Sequence, residues 1–155
     1  MFSAIRQTTI AILAAVTMTM SLWLVPAEAA TPAARYASTA FSATNHQRVE
    51  HDRVRLRQNA CLQRYAVRWA RHMARTHRLE HQSLGPIARR CRLNLAGENI
   101  AYGYPTGRVV VNRGWMHSAG HRANILRRQF RVMGIGAARD GRGTWWVSQV
   151  FGRKA

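Results

Sequence analysis

Taken at 100° per residue, the stretch from Cys61 to Arg78 separates into two opposite faces. Leu62, Ala66, Trp69, Ala70, Met73 and His77 gather on one side, while Arg64, Arg68, Arg71, Arg75 and Arg78 fall within about an 80° arc opposite. The pattern predicts an amphipathic helix with one face toward a core and an arginine stripe outward. No acid at the neighbouring i±4 positions neutralises that stripe. Upstream, Phe41, Asn45, Arg48 and Val49 recur at helical spacing to about His51, with Ser42 as a candidate cap. Val54 and Leu56 then enter an extended link, and Ala30–Ala40, rich in Ala, Thr and Ser without a period, reads as a loose leader.

Downstream the period changes. Arg131–Arg139 alternates, Asp140-Gly141-Arg142-Gly143 reads as a turn and Thr144–Phe151 as a second strand, which predicts an antiparallel hairpin. Gly134 and Gly136 leave one face of its first strand nearly bare, suited to close packing. Leu79–Leu95 carries a Gly-Pro pair and no sustained period, so it reads as a long connection containing His81. Arg108–His117 fits two patterns: Val109–Val111 favours a strand, whereas Val111 and Trp115 at i, i+4 favour a helix. Ser118 then stands as N-cap of a short helix to about Leu126. Helices first and a sheet after predict an α+β fold, with helices sandwiching a sheet as one arrangement.

The first thirty residues stand apart. Arg6 is the only charge of the leading region, Thr8–Pro26 is uncharged and largely apolar, and Ala27-Glu28-Ala29 supplies the small-x-small pattern read by signal peptidase. Residues 1–29 are therefore expected to be a signal peptide cleaved before Ala30, followed by the leader 30–40 and one domain over 41–152. Export makes the chain secreted or periplasmic. It also makes Cys61 and Cys91, the only two cysteines, an expected structural disulfide rather than a metal site.

Charge narrows the partners. Basic residues number 24 against 6 acids, for a net +18, and all the basic residues but Lys154 are arginine. A chain so short of acids is expected to bind polyanions. With export, anionic lipid or polysaccharide met by Arg64, Arg68, Arg71, Arg75 and Arg78 is the expected contact, and nucleic acid is disfavoured.

Candidate chemistry concentrates between Gly97 and His121, where an acid (Glu98), an aromatic (Trp115) and a histidine at a helix start (His121) share one stretch. Several segments align, in order, with a known family. They are N-x-x-R at Asn45–Arg48, His81 in the connection, G-E-N-I-A at Gly97–Ala101 and W-M-x-S-x-G-H-R-x-N-I-L at Trp115–Leu126. G-I-G-A at Gly134–Ala137 and W-x-x-Q-x-F-G at Trp146–Gly152 complete the set. The chain resembles the bacterial branch of the CAP superfamily (SCP-like; cysteine-rich secretory protein, antigen 5, pathogenesis-related 1) over roughly Phe41–Gly152.

That resemblance implies a three-layer α-β-α sandwich around an antiparallel sheet, and a helix at the ambiguous stretch near Val109. It also implies a cleft in which His81, Glu98 and His121 converge, with His81 and His121 as candidate ligands of zinc or another divalent cation. The family's second acid falls at Ser118 here. Two imidazoles and a carboxylate would suit zinc with one open position. Hydrolysis also needs a base near the bound water, and Ser118 cannot serve at neutral pH. The reading is thus a monomeric binding domain for a small apolar ligand, lipid, metal or cell-envelope component. A metal-dependent hydrolase or protease, and a cationic envelope-binding protein, are the alternatives. Asn99 is expected to hold a turn, the tryptophans Trp115, Trp145 and Trp146 to lie in the core, and His46, His51 and His72 to lie on the surface.

Overall fold

A computed structural model describes residues 29–154. The segment read as a signal peptide lies outside the described residues, apart from Ala29. Among the described residues no helix is long and apolar enough to cross a membrane.

The order is α1 (Pro32–Glu50), β1 (Arg57–Gln58), α2 (Ala60–Thr76), α3 (Leu84–Cys91), β2 (Leu93–Tyr102) and α4 (Gly107–Val109). A π-type turn over Val110–Gly114 and a 3-10 turn over Trp115–His117 carry the chain on to α5 (Ala119–Leu126), β3 (Val132–Arg139) and β4 (Trp145–Lys154). The sheet runs β1-β3-β4-β2. Its three long strands are antiparallel, as expected, and the two-residue β1 adds a parallel pair to β3. Helices cover both faces, which makes the predicted three-layer sandwich.

One face carries the larger core. Ala101, Met133, Ile135, Val147 and Phe151 from the sheet pack there with Val110, Val111, Trp115 and Ile125 from the helical layer and with Tyr36 and Ala40 of α1. This corrects the reading of Ala30–Ala40 as a loose leader. The helix begins at Pro32, Thr31 rather than Ser42 caps it by accepting from the Ala34 N–H, and Tyr36, Ala37 and Ala40 are buried.

Arg48 is buried in the same layer with no carboxylate beside it. Its guanidinium donates to the carbonyls of Val54, Ile125 and Arg127, tying α1 to the end of α5. Burial, then the nearby charges of Arg131 and Arg53, lower its pKa to about 10, so it remains charged at neutral pH.

The opposite face belongs to α2 and α3. Leu62, Ala66, Ala70 and Met73 are buried as the periodicity predicts, and all five stripe arginines are exposed. His77 departs from its predicted inward face: it is the left-handed C-cap of α2 (φ 54°) and is exposed. The bare strand face is used as expected. A Cβ on Gly134 would lie 2.2 Å from the Gln63 nitrogen, and one on Gly136 would lie 2.2 Å from that of Val67. The backbone of α2 therefore rests directly on β3.

The connection Leu79–Leu95 is more structured than its composition suggested. It contains α3 and the start of β2, and Cys91 at the end of α3 is bonded to Cys61 at the start of α2. Trp115, Trp145 and Trp146 are buried. His46 is exposed, but His72 is half-buried, stacked on Trp69 and bonded to Glu80.

Candidate functional site

The site lies along β2, which among the described residues is an edge strand paired with β4 alone. Two of its carbonyls are taken by side chains from the helical layer. The Trp115 indole donates to Ile100 O at 3.2 Å, and Asn124 donates to Glu98 O at 3.1 Å. The strand edge is thereby closed to a further strand, and the segment from Trp115 to α5 is held beside it.

Alternation along β2 sends successive side chains to opposite layers. Glu98 points to the α2/α3 side, where its side chain is 1% exposed. There it accepts four hydrogen bonds. Oε1 receives the Ser148 hydroxyl (2.8 Å) and the Gln82 side-chain amide (2.7 Å). Oε2 receives His81 Nδ1 (2.8 Å) and the Gln82 backbone N–H (3.2 Å). A carboxylate has about four acceptor positions, and here all are used. His81 thus donates through Nδ1 and leaves Nε2 free on the solvent side.

The loop carrying His81 is held from α2. Trp69 donates its indole N–H to Glu80 O at 2.7 Å, and His72 Nε2 meets Glu80 Oε1 at 3.2 Å. The disulfide fixes the following helix, so His81 is pinned from both sides.

Asn99, one residue on, faces the other layer. It donates to His121 O (3.2 Å) and to Gln149 Oε1 (3.1 Å) and accepts from Asn124 (3.0 Å). Its role is to fasten β2 to α5, not to hold a turn as the sequence suggested. Gln149 continues the network by donating to Thr44 Oγ1 at 2.8 Å.

His121 reaches the edge from that second layer, with its ring 6.5 Å from that of Trp115. Burial first, and the nearby His81 second, push its pKa below the usual histidine value. It is therefore neutral at pH 7, and the His81 ring is close enough to disfavour a charge on it. Together with Ser118, Trp115, Tyr104, Tyr102 and Leu79, His121 lines an open cleft of about 530 Å³. Ser118 occupies the N-cap position of α5 as expected, but its side chain makes no capping bond and faces the cleft.

The structure thus brings His81 to Glu98, and brings His121 and Ser118 to one cleft. The three-ligand zinc set does not fit. Glu98 has no acceptor position to spare, and among the described residues no group of three His, Cys, Asp or Glu could hold a metal. The donors that remain for a cation are two imidazoles, His81 through Nε2 and His121. His117 is exposed, so the residue next to Ser118 does not replace the missing acid.

Sequence reasoning missed Gln82 and Ser148, the two neighbours that saturate Glu98. Ser148 sits inside the W-x-x-Q-x-F-G segment, one residue before Gln149, and strand alternation places it on the Glu98 side. Gln82 carried no signal beyond its place next to His81.

A family profile described as the cysteine-rich secretory protein family, CAP, matches residues 41–151. Among curated proteins, YkwD of Bacillus subtilis is 45% identical over 58 residues, which is 37% of this chain and 21% of that protein. The chain therefore spans about a fifth of that relative's length. Among solved structures, an extracellular protein containing an SCP domain from Bacillus anthracis is similar at TM-score 0.70 and 28% identity, covering 83% of this chain and 45% of that one. An outer surface protein from Borrelia burgdorferi shares the fold at TM-score 0.68 and 19% identity, covering 76% and 92%.

Proposed function

This chain belongs to the cysteine-rich secretory protein (CAP) family, and from that premise we propose that it is an exported binding domain whose cleft holds a small apolar ligand without turning it over. The observation that carries the reading is the saturation of Glu98. A general base must have a lone pair free for the proton it takes. Glu98 offers none while His81, Gln82 and Ser148 hold it, and the family's other acid position is Ser118.

The cleft's walls agree with binding. Leu79, Ile100, Tyr102, Tyr104 and Trp115 supply apolar surface, and His121 and Ser118 supply the few polar groups that orient a ligand. A divalent cation, where one enters, would use His81 Nε2 and the neutral His121 imidazole, with affinity below that of a three-ligand centre.

The test uses the mature chain and an uncharged fluorescent probe, N-phenyl-1-naphthylamine. Saturable binding is expected, lost when Ser118→Phe fills the cleft in a protein that still unfolds cooperatively. In parallel, the zinc-supplemented protein should hydrolyse neither casein nor p-nitrophenyl esters above blank. Zinc-dependent turnover abolished in a folded Glu98→Gln variant would establish the hydrolase reading instead.

A further inference from the structure

The cleft does not end at Tyr102. Four open hollows adjoin in turn, from the edge of β2 to the outer face of α2, and each shares residues with the next. The cleft beside His121 shares Leu79 and Tyr102 with a hollow of about 330 Å³ that adds Arg142. That hollow shares His77 and Asp140 with one of about 530 Å³ that adds Arg139, Arg71 and Arg75. The last two arginines also line a groove of about 460 Å³ with Arg64 and Arg68. We infer that the cleft and the arginine stripe are one continuous surface for a linear anionic glycan, with sugar rings at Tyr102 and carboxylates or phosphates along α2.

Chemistry grades along the path. The cleft end is aromatic and uncharged at neutral pH, and the far end is cationic. Tyr102 lies flat on Trp146, with ring centroids 4.9 Å apart at 18°, and is 53% exposed, so it presents one rigid face outward. Such a platform fits the apolar face of a sugar ring.

One cation is preset. Arg68 stacks over Tyr65 at 4.5 Å, which limits the freedom it loses on binding. Arg64 to Arg75 spans about 17 Å of helix, long enough for several monomers. The carboxylate in the path is engaged by protein donors. Asp140 is turned inward, accepting from the Trp146 indole and from the N–H groups of Arg142 and Thr144.

A membrane surface fits less well. The stripe itself carries no exposed large apolar residue, and Leu79 and Tyr102 line hollows instead of projecting from a convex face.

The inference rests on the cleft being a binding site, and its test separates the two. Binding of a fluorescent ten-unit oligogalacturonate to the mature chain is measured at low and at raised salt. Phosphatidylglycerol vesicles, duplex DNA and a neutral oligoglucose of equal length serve as competitors. Affinity should fall with salt, and Arg71→Glu with Arg75→Glu should weaken it by about tenfold or more. Tyr102→Ala should weaken it several-fold in a protein that still unfolds cooperatively, with the salt slope unchanged.

Glycan binding indifferent to Tyr102→Ala overturns the joined surface, as does equal competition by the neutral oligomer. Stronger competition by vesicles or DNA at matched salt replaces the glycan with another polyanion. If N-phenyl-1-naphthylamine still occupies the cleft in those cases, only this inference falls. If it does not, the cleft reading falls as well.

Discussion

Glu98→Gln isolates the carboxylate network. The side chain keeps its shape, but one acceptor oxygen becomes a donor. On the Oε1 side the Ser148 hydroxyl can turn to accept, while the Gln82 amide is left facing another donor. On the Oε2 side an oxygen remains for His81 and the Gln82 backbone N–H, without the help of a full charge. One bond lost and two weakened, at about 1 kcal/mol each, come to about 2–3 kcal/mol, with relief of the buried charge favouring the lower end. For a domain of roughly 125 residues that lowers Tm by about 8–12 °C. Glu98→Ala strips all four bonds and opens a cavity, and should cost about 4–5 kcal/mol. Urea and thermal unfolding of the two variants measure both values. A Gln variant within about 0.5 kcal/mol of wild type would mean that the four contacts do not hold Glu98, leaving its oxygens free for metal or proton chemistry.

Removing the disulfide with Cys61→Ala and Cys91→Ala, thirty residues apart, should lower stability by about 3.5 kcal/mol in urea unfolding. Gly136→Ala sets a methyl against the Val67 backbone and should cost about 3 kcal/mol or prevent folding, whereas Gly141→Ala meets nothing within 4 Å and should be near neutral. His121 is held neutral in the folded state, so its contribution is present above the ordinary histidine pKa of about 6.5 and is lost as pH falls toward its lower folded value. Urea midpoints at pH 7.5 and 5.5 should therefore differ more for wild type than for His121→Gln, and equal differences would contradict the shift.

The elements legible in the sequence are those whose pattern is carried by large residues. The two faces of α2, the hairpin of β3 and β4, and the glycine-bared strand face all follow from local periodicity, and the two cysteines had one plausible use. The first helix escaped because alanines carry its buried face: Ala37, Ala40 and Ala43 repeat correctly but add little apolar contrast. The third is eight residues long, and its Gly-Pro pair, a turn signal in isolation, falls in a first helical turn where proline is tolerated. Strand β2 shows no clean alternation because it is covered on both faces and built partly from Ala96, Gly97 and Ala101.

The site was legible only through family resemblance, since its partners lie 16 to 50 residues apart. Resemblance located His81, Glu98 and His121, but not which side of the sheet each one serves. That division follows from the alternation of Glu98 and Asn99, and it explains why one imidazole meets the carboxylate and the other does not.

Because Gly134 and Gly136 let the α2 backbone lie against the sheet with no cushion of side chains, that helix has no slack in which to rock or slide. Its outward guanidinium groups are consequently mounted on a rod bolted to its base, at intervals set by the helix repeat. Two hydrogen atoms in place of methyl groups on a buried strand thus calibrate a charge ruler on the far side of the neighbouring layer.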